Sequence, residues 1–226
     1  MAETVIVTGG ASGLGRAVAQ AVAEAGWQPV VLDRQPAPSE FEQVLVDLAD
    51  PAAAEAAVNQ VAQRSGGLKA VVTAGGTDAC GPLAEVAWEQ WERVIRVNLL
   101  GTAAVVRAAL PHLVQSRGRI VTVASTLGLR ALPDASAYCA SKFGVVGFSR
   151  ALALELAGRV GVTLLIPGGM RTAFFDGRSE QYRPGADAQL NRPEDVAAAV
   201  LFALRQPAGC ELRELIITPS LEPSWP

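Results

Sequence analysis

Short, apolar stretches rich in β-branched residues alternate along this chain with longer stretches rich in alanine and leucine. Strands that are apolar throughout are typical of parallel sheets, which are buried on both faces. We predict seven strands, at residues 4–8, 29–33, 43–46, 68–73, 119–124, 161–166 and 214–218. The stretches between them predict helices at residues 13–26, 51–64, 88–114, 135–157 and 193–205, and Pro111 is expected to kink or end the third.

This alternation predicts an α/β fold, a single-domain doubly wound parallel sheet of about seven strands with helices on both faces. A length of 226 residues suits one such domain. Because half of the residues are hydrophobic and only 18% are charged, the chain can bury a large core. One long irregular stretch, residues 167–192, interrupts the pattern, and loops of that length are usually functional or disordered. We therefore treat residues 1–226 as one domain with a substrate loop at 167–192.

Charge and composition argue against several classes of partner. The net charge is −3 and no block of lysine or arginine appears, so we expect neither nucleic acid nor a membrane surface as a partner. No apolar run reaches the length of a membrane span. Three scattered cysteines and one histidine predict no disulfide framework and no metal site. A cytoplasmic location fits free thiols.

The first predicted strand leads directly into a glycine-rich segment, T-G-G-A-S-G-L-G, and then into a helix. Glycines at this point allow a tight turn and a close approach of the backbone to a ligand, and the helix start favours a pyrophosphate. The position after a first strand and before a helix is the context that gives this motif its meaning. The expected cofactor contacts are Gly9, Ala11, Ser12, Gly13, Leu14 and Gly15.

Two acidic residues follow the second and third strands. Asp33 is placed to accept hydrogen bonds from the adenosine ribose and would repel a 2′-phosphate, which favours NAD over NADP. Arg16 and Arg34 are close in sequence and keep NADP possible. Asp47 could bind the adenine amino group, although capping a helix or forming a turn is about as good an explanation.

Tyr138 and Lys142 are four residues apart at the start of a predicted helix and so share one face. A phenol is a sluggish base at neutral pH, and a neighbouring ammonium is expected to lower its pKa. Tyr138 could then exchange a proton with an alcohol or carbonyl oxygen. Ser125, at the end of the fifth strand, could polarise the same oxygen.

The order T-G-G-A-S-G-L-G, then Asn98, then Ser125, then Tyr138-x-x-x-Lys142 resembles the short-chain dehydrogenase/reductase family from about residue 5 to residue 202. The resemblance implies a Rossmann-like fold and catalysis by the matching serine, tyrosine and lysine. It also implies that Lys142 binds the nicotinamide ribose and that Asn98 holds a water of a proton relay. Further cofactor contacts implied by the resemblance are Ala74, Gly75, Pro167, Gly168, Met170 and Thr172.

Three features depart from the family pattern. The segment after the fourth strand is V-T-A-G instead of N-N-A-G, and Thr73 is expected to replace some of the asparagine's hydrogen bonds. The stretch 167–193 is short, so its cover over the substrate is expected to be poor. The C-terminus lacks the usual D-G-G, which affects how subunits would assemble.

These features together predict an oxidoreductase that transfers a hydride between NAD(H) and an alcohol or ketone, with Tyr138 as general acid/base. The alternatives are a catalytically idle nucleotide-binding redox sensor, an NADP(H)-dependent carbonyl reductase and a sugar-nucleotide epimerase or dehydratase. The chain ends too soon for the extra substrate domain of the last class. The family resemblance also implies a homodimer or homotetramer formed through helices 88–114 and 135–157.

Overall fold

The computed structural model describes residues 3–38 and 40–225, and its centre is one parallel seven-stranded sheet with strand order β3-β2-β1-β4-β5-β6-β7. The strands are β1 (Thr4–Thr8), β2 (Gln28–Asp33), β3 (Glu42–Leu45), β4 (Ala70–Thr73), β5 (Arg119–Val123), β6 (Gly161–Pro167) and β7 (Glu214–Ile217). All six strand pairings are parallel. The predicted doubly wound sheet is confirmed.

Helices cover both faces of the sheet, as the strand β1 shows residue by residue. The helices are α1 (Gly13–Glu24), α2 (Pro51–Ser65), α3 (Trp88–Ile95), α4 (Thr102–Ser116), α5 (Ser136–Glu155) and α6 (Pro193–Leu204). Ile6 belongs to the core formed with α2, α4 and α5, whereas Val5 and Val7 belong to the core formed with α1 and α6. All three side chains are fully buried. Alternate residues of a strand point to opposite faces, so a wholly apolar strand is needed here.

The predicted helix 88–114 is wrong in its detail. A π-helical turn, Arg96–Gly101, separates α3 from α4, and α4 continues through Pro111 to Ser116. A proline inside a helix costs about 3 kcal/mol. The buried face of α4, which includes Val105, Ala109 and Leu113, outweighs that cost. The other predicted element boundaries differ from the structure by at most two residues.

The helical stretch Trp88–Ser116 is also long and apolar enough to cross a membrane by length and composition, with a mean hydropathy of 1.4. Half of that window is buried inside the protein, where α4 packs on the sheet core and beside α2. A core helix of a soluble protein has the same properties. This one helix is therefore weak evidence for a membrane span.

The strand order places the functional segments at one edge of the sheet. The chain leaves β1 toward β2 on one side and returns to β4 on the other, so the loops after β1 and β4 diverge. Such a switch point forms the ligand crevice of doubly wound folds, at the carboxyl ends of the strands. The loop after β6 carries two short 3₁₀ turns, Ala173–Phe175 and Glu180–Tyr182, before α6 begins.

Candidate active site

The glycine-rich loop after β1 is packed tightly against the loop after β4. Gly9 has φ +71°, and a Cβ atom there would lie 2.6 Å from the Gly75 Cα atom. The Gly75 amide donates a hydrogen bond of 2.9 Å to the Thr8 hydroxyl. Gly13 also has a positive φ, +53°, as it begins α1. The predicted contacts from Gly9 to Gly15 and at Ala74 and Gly75 thus come from two loops in contact.

The start of α1 suits an anionic group. The first amides of a helix have no partner inside the helix, and they carry the positive end of its dipole. Ser12 precedes α1 in an extended conformation, and its exposed side chain does not cap the helix. Arg16 follows one turn later, also exposed. These donors and the missing Cβ atoms fit the pyrophosphate of a dinucleotide, with Gly9 to Gly15 as the residues that would hold it.

Asp33 and Asp47 lie at this edge of the sheet but have different hydrogen-bond partners. The Asp33 carboxylate accepts hydrogen bonds from the Ala11 amide at 3.0 Å and from the Gln35 amide at 2.9 Å. Each of its oxygens keeps one further acceptor position for a hydroxyl group. The Asp47 carboxylate accepts from the Ala49 amide and from Arg93, whose Nη2 lies 2.9 and 3.1 Å from its two oxygens. Those bonds lower the pKa of Asp47, although its partial burial acts in the opposite direction. A role in binding adenine stays a prediction.

Thr73 does not take the part expected of it in the V-T-A-G segment. Its hydroxyl is buried and has no hydrogen-bond partner within residues 3–38 and 40–225. The side chain belongs to β4 in the sheet interior, in register with Thr8 and Thr122 on the neighbouring strands. The Thr8 hydroxyl instead accepts from the Gly75 amide. This substitution was not evident from the sequence.

Ser125, Tyr138 and Lys142 converge at the carboxyl end of β5. Lys142 is buried, and its Nζ atom lies 5.6 Å from the centroid of the Tyr138 ring. The same ammonium donates a hydrogen bond of 2.9 Å to the Val123 carbonyl. Ser125 is nearly buried, and its hydroxyl accepts from the Leu127 amide at 3.1 Å. The three predicted side chains therefore form one cluster.

Burial dominates the acid–base properties of this cluster. It raises the pKa of Tyr138 well above its usual value, and the nearby Asp78 carboxylate adds to that increase. The Ser125 hydroxyl and Arg178 act in the opposite direction but do not cancel the effect. Burial likewise lowers the pKa of Lys142 to about 8, and Asp78 partly offsets this. The expected lowering of the Tyr138 pKa is therefore wrong for the protein alone, because removing a phenolate from water costs more than its neighbours return.

Asn98 lies in the π-helical turn, is buried, and joins three parts of the site. Its amide nitrogen donates to the Thr77 carbonyl and to the Ser141 hydroxyl, both at 2.9 Å, and its oxygen accepts from the Thr77 amide at 2.8 Å. Ser141 precedes Lys142 on α5, so Asn98 ties the loop after β4 to the helix that carries Tyr138 and Lys142. The proton-relay role of Asn98 stays a prediction.

The segment after β6 lies against the glycine-rich loop. A Cβ atom on Gly13 would approach the Thr172 methyl group to 3.3 Å, so Thr172 lies over the start of α1. Met170 pairs with Asn191 in an isolated parallel bridge, which ties the loop back on itself. Pro167 and Gly168 are buried at the end of β6. These four predicted contacts thus lie at the carboxyl edge of the sheet, beside the predicted phosphate site.

Sequence reasoning missed several residues around the cluster. Asp78 and Arg178 form an ion pair beside Tyr138 although they are 100 positions apart. The tail residue Glu222 accepts a hydrogen bond of 2.8 Å from the Gly169 amide, and the hydroxyls of Ser224 and Thr126 are hydrogen-bonded at 2.7 Å. No local sequence pattern signals such long-range pairs. No group of three metal-binding side chains occurs in the described part of the chain.

Comparisons with known proteins identify the family of the chain. The family model described as short chain dehydrogenase matches residues 3–183. An uncharacterized oxidoreductase of Staphylococcus aureus (strain MW2) is 30% identical over 226 residues, covering 95% of this chain and 96% of that protein.

Solved structures show the same fold. A ligand-free aldohexose dehydrogenase from Thermoplasma acidophilum superposes with a TM-score of 0.88 at 24% identity, covering 96% of this chain and 92% of the other. An alcohol dehydrogenase from Thermococcus sibiricus, complexed with 5-hydroxy-NADP, gives 0.85 at 24% identity and covers 98% of both chains. With the family match and the relative from Staphylococcus, the conclusion is direct: the chain belongs to the short-chain dehydrogenase/reductase family and is an oxidoreductase of that family.

Proposed function

We propose that this protein interconverts a secondary alcohol and a ketone with NAD(H), and that Tyr138 is the general acid/base. The observation that carries the proposal is the convergence of Ser125, Tyr138 and Lys142 beside a loop suited to a dinucleotide pyrophosphate. When bound, the nicotinamide accepts or supplies the hydride. The protein contributes binding, orientation and proton transfer.

The residues divide the proton chemistry between them. In oxidation, the Tyr138 phenolate would take the hydroxyl proton of the alcohol as the carbon that bears it loses a hydride. In reduction, the Tyr138 phenol returns its proton to the carbonyl oxygen as hydride arrives at the carbon. The Ser125 hydroxyl orients that oxygen. The Lys142 ammonium, held by the Val123 carbonyl, stabilises the phenolate form.

Asp33 supports NAD as the preferred cofactor. Its carboxylate is held at the end of β2 by the Ala11 and Gln35 amides, where free acceptor positions favour ribose hydroxyls. A 2′-phosphate at the same place would meet a negative charge. We propose that this repulsion decides the preference.

An NADP(H)-dependent carbonyl reductase is the second candidate, and one observation favours it. Arg16 and Arg34 are both exposed near the glycine-rich loop and the end of β2, where either guanidinium could contact a phosphate. The alcohol dehydrogenase from Thermococcus sibiricus carries an NADP derivative.

A fluorescence titration with NADH and with NADPH separates these candidates, followed by a panel of alcohols with the oxidised cofactor and of ketones with the reduced one. Tighter NADH binding together with turnover is expected. Tighter NADPH binding would favour the second candidate. Cofactor binding without turnover of any compound in the panel would favour the idle redox sensor.

We also propose that copies of this chain associate through α5. Phe143 and Leu154 are exposed large apolar residues on this helix, and Gly147 lies on the same face with open space around it. A second copy would remove that stripe from water. Light scattering should give a dimer or tetramer, and Leu154→Glu should reduce its mass. A monomeric wild type at micromolar concentration would contradict the proposal.

A further inference from the structure

The loop after β6 is joined to the loop after β4 by a largely buried ion pair. The Arg178 Nη2 atom lies 2.6 Å from the Asp78 Oδ2 atom. The exposed fractions of the two side chains are 18% and 7%. Among the ion pairs within the described ranges, this is the one in which both side chains are less than one fifth exposed. A buried pair is weakened far less by salt than a surface pair, so it can hold two segments in a fixed arrangement.

On the loop side, two aromatic rings fix the Arg178 guanidinium. Its central carbon lies 4.8 Å from the centroid of Phe174 and 4.6 Å from that of Phe175. Cation–π contacts at these distances are attractive. Phe174 in turn contacts the Tyr138 ring, with 5.7 Å between centroids. Arg178 therefore determines where an aromatic wall lies relative to the catalytic phenol.

In the loop after β4, Asp78 is held by hydrogen bonds from its neighbours. Its Oδ1 atom accepts from the Ala79 amide at 2.7 Å, and its Oδ2 atom accepts from the Cys80 thiol at 3.2 Å. Its neighbour Thr77 is held by two hydrogen bonds to Asn98. The carboxylate therefore has little freedom to follow the loop if the loop moves.

We propose that the Asp78–Arg178 ion pair holds the loop over Tyr138 and neutralises Arg178, so that the site accepts uncharged ketones and alcohols in preference to carboxylate-bearing ones. This inference rests on the proposed oxidoreductase function. Asp78 and Arg178 are specificity-determining and positioning residues. The wall that they support, Phe174 and Phe175, is aromatic and carries no net charge.

Two features of the surroundings support this assignment. Arg178 has one anionic partner, and its buried Nε atom has no acceptor in the part of the chain that is described. Without Asp78, the guanidinium would need another anion, and a substrate carboxylate beside Tyr138 could serve. A second contact, from the Tyr182 hydroxyl to the Asp134 carboxylate at 3.1 Å, ties the same loop to the segment before α5.

The substrate test compares acetophenone with phenylglyoxylate, which replaces the methyl group by a carboxylate. The wild type should have the higher kcat/KM for acetophenone. Asp78→Asn should change that ratio toward phenylglyoxylate by roughly tenfold or more, since the guanidinium loses its partner. Arg178→Met should lower kcat/KM for both substrates without changing their ratio toward phenylglyoxylate. The matched control is Arg192→Met, which removes an exposed arginine paired with Glu194 and should leave the ratio unchanged.

The pH profile of alcohol oxidation gives a readout that a purely structural role would not produce. The titratable and charged groups around Tyr138 are Asp78, Arg178, Cys139 and Lys142. Asp78 raises the pKa of Tyr138 and Arg178 lowers it. The rise of activity with pH should therefore shift to lower pH in Asp78→Asn and to higher pH in Arg178→Met. Cys80 does not interfere, because burial raises its pKa to about 12.

Hydrogen exchange of the cofactor-free protein tests the loop without turnover. Amides in residues 171–183 should exchange about tenfold faster in Asp78→Asn and in Arg178→Met, and at the wild-type rate in Arg192→Met. Unchanged exchange in both variants would overturn the proposal even if the enzyme is active. If both variants exchanged faster but the wild type turned over no substrate, the role of the ion pair in holding the loop would stand. The proposed oxidoreductase reaction would then be overturned. A wild type that prefers phenylglyoxylate would also overturn the substrate class.

Discussion

The Asp33 carboxylate accepts a hydrogen bond of 3.0 Å from the Ala11 amide, so the residue that ends β2 also holds the glycine-rich loop that follows β1. This one side chain therefore has two tasks. Its hydrogen bond organises the loop that would receive the pyrophosphate. Its charge, on the remaining acceptor positions, would distinguish a ribose hydroxyl from a 2′-phosphate.

Two substitutions at Asp33 should separate these tasks. Asp33→Asn keeps an acceptor for the Ala11 amide but removes the charge. We expect NADH to bind roughly tenfold more weakly and NADPH to bind more tightly, because the repulsion of a 2′-phosphate is gone. Fluorescence titrations with both cofactors measure the two dissociation constants.

Asp33→Ala provides the comparison, since it removes both the charge and the acceptor. Both cofactors should bind less well than to Asp33→Asn, because the loop loses its anchor. Equal behaviour of the two variants would show that the hydrogen bond to Ala11 contributes nothing to binding. An unchanged preference in both would remove Asp33 as the reader of the ribose.

Tyr138→Phe should abolish most of the turnover while the cofactor site stays intact. The substitution removes only the hydroxyl, and proton transfer by a positioned side chain typically contributes about 10²–10⁴-fold to a rate. We expect kcat to fall by that amount and the dissociation constant for NADH to stay within about threefold of the wild type. Steady-state kinetics and a cofactor titration are both needed.

The chain supplies a matched control, because Tyr182 is its only other tyrosine. Its hydroxyl donates a hydrogen bond of 3.1 Å to the Asp134 carboxylate. Tyr182→Phe should alter KM more than kcat. If Tyr138→Phe retained wild-type kcat, Tyr138 could not be the acid/base.

Lys142→Met should inactivate the enzyme and yet stabilise the fold. Burial lowers the pKa of Lys142 from 10.5 to about 8, so keeping its ammonium charged destabilises the folded state by about 3 kcal/mol at neutral pH. Loss of the hydrogen bond to Val123 offsets about 1 kcal/mol of the gain. A higher Tm by a few degrees is expected at pH 7.

The sign can be checked by varying pH. A lysine whose pKa is lowered on folding destabilises the protein fully below the folded value, and this penalty disappears as pH rises from about 8 toward 10.5. The Tm difference between Lys142→Met and the wild type should therefore shrink over that interval. A difference that is constant with pH would mean that the charge of Lys142 is not its origin.

Much of this architecture could be predicted because it depends on local patterns. The apolar strands, the glycines before α1 and the four-residue spacing of Tyr138 and Lys142 are visible in short windows. The π-helical turn was not predicted, since its residues fit an ordinary helix and only the packing and hydrogen bonds of Asn98 distinguish them. Pro111 misled for the opposite reason, because tertiary packing outweighed a local preference.

The contacts that shape the site are long-range, and that is why they escaped prediction. Asp78 and Arg178 are each unremarkable polar residues in a loop until the fold joins them. The raised pKa of Tyr138 could not be predicted from the sequence either, since it depends on how deeply the folded chain buries the ring. The C-terminus departs from the family pattern in the sequence itself, but the contact by which it supports the loop after β6 joins residues 53 positions apart.

The tail after β7 supports the last prediction. The two Glu222 oxygens bind different groups: one accepts from the Gly169 amide at 2.8 Å, and the other accepts from the Ser224 hydroxyl at 2.6 Å. The Ser224 hydroxyl also accepts a hydrogen bond from the hydroxyl of Thr126, which adjoins Ser125. The tail thus links the segment before Met170 to the turn that follows Ser125.

Glu222→Ala should loosen both ends of this link. Leaving the partly buried Gly169 amide without its acceptor costs up to about 3 kcal/mol, so a lower Tm is expected together with a higher KM for the cofactor. Glu222→Gln keeps an acceptor for the Gly169 amide and should stay close to the wild type. Glu180 is an exposed acidic residue in a short turn of the loop after β6, and Glu180→Ala should change neither Tm nor KM. A raised KM requires the contact between Glu222 and Gly169 to matter for cofactor binding, whereas a lowered Tm does not. If Glu222→Ala lowered Tm but left KM unchanged, the tail would therefore stabilise the fold without helping to position the segment after β6 for the cofactor.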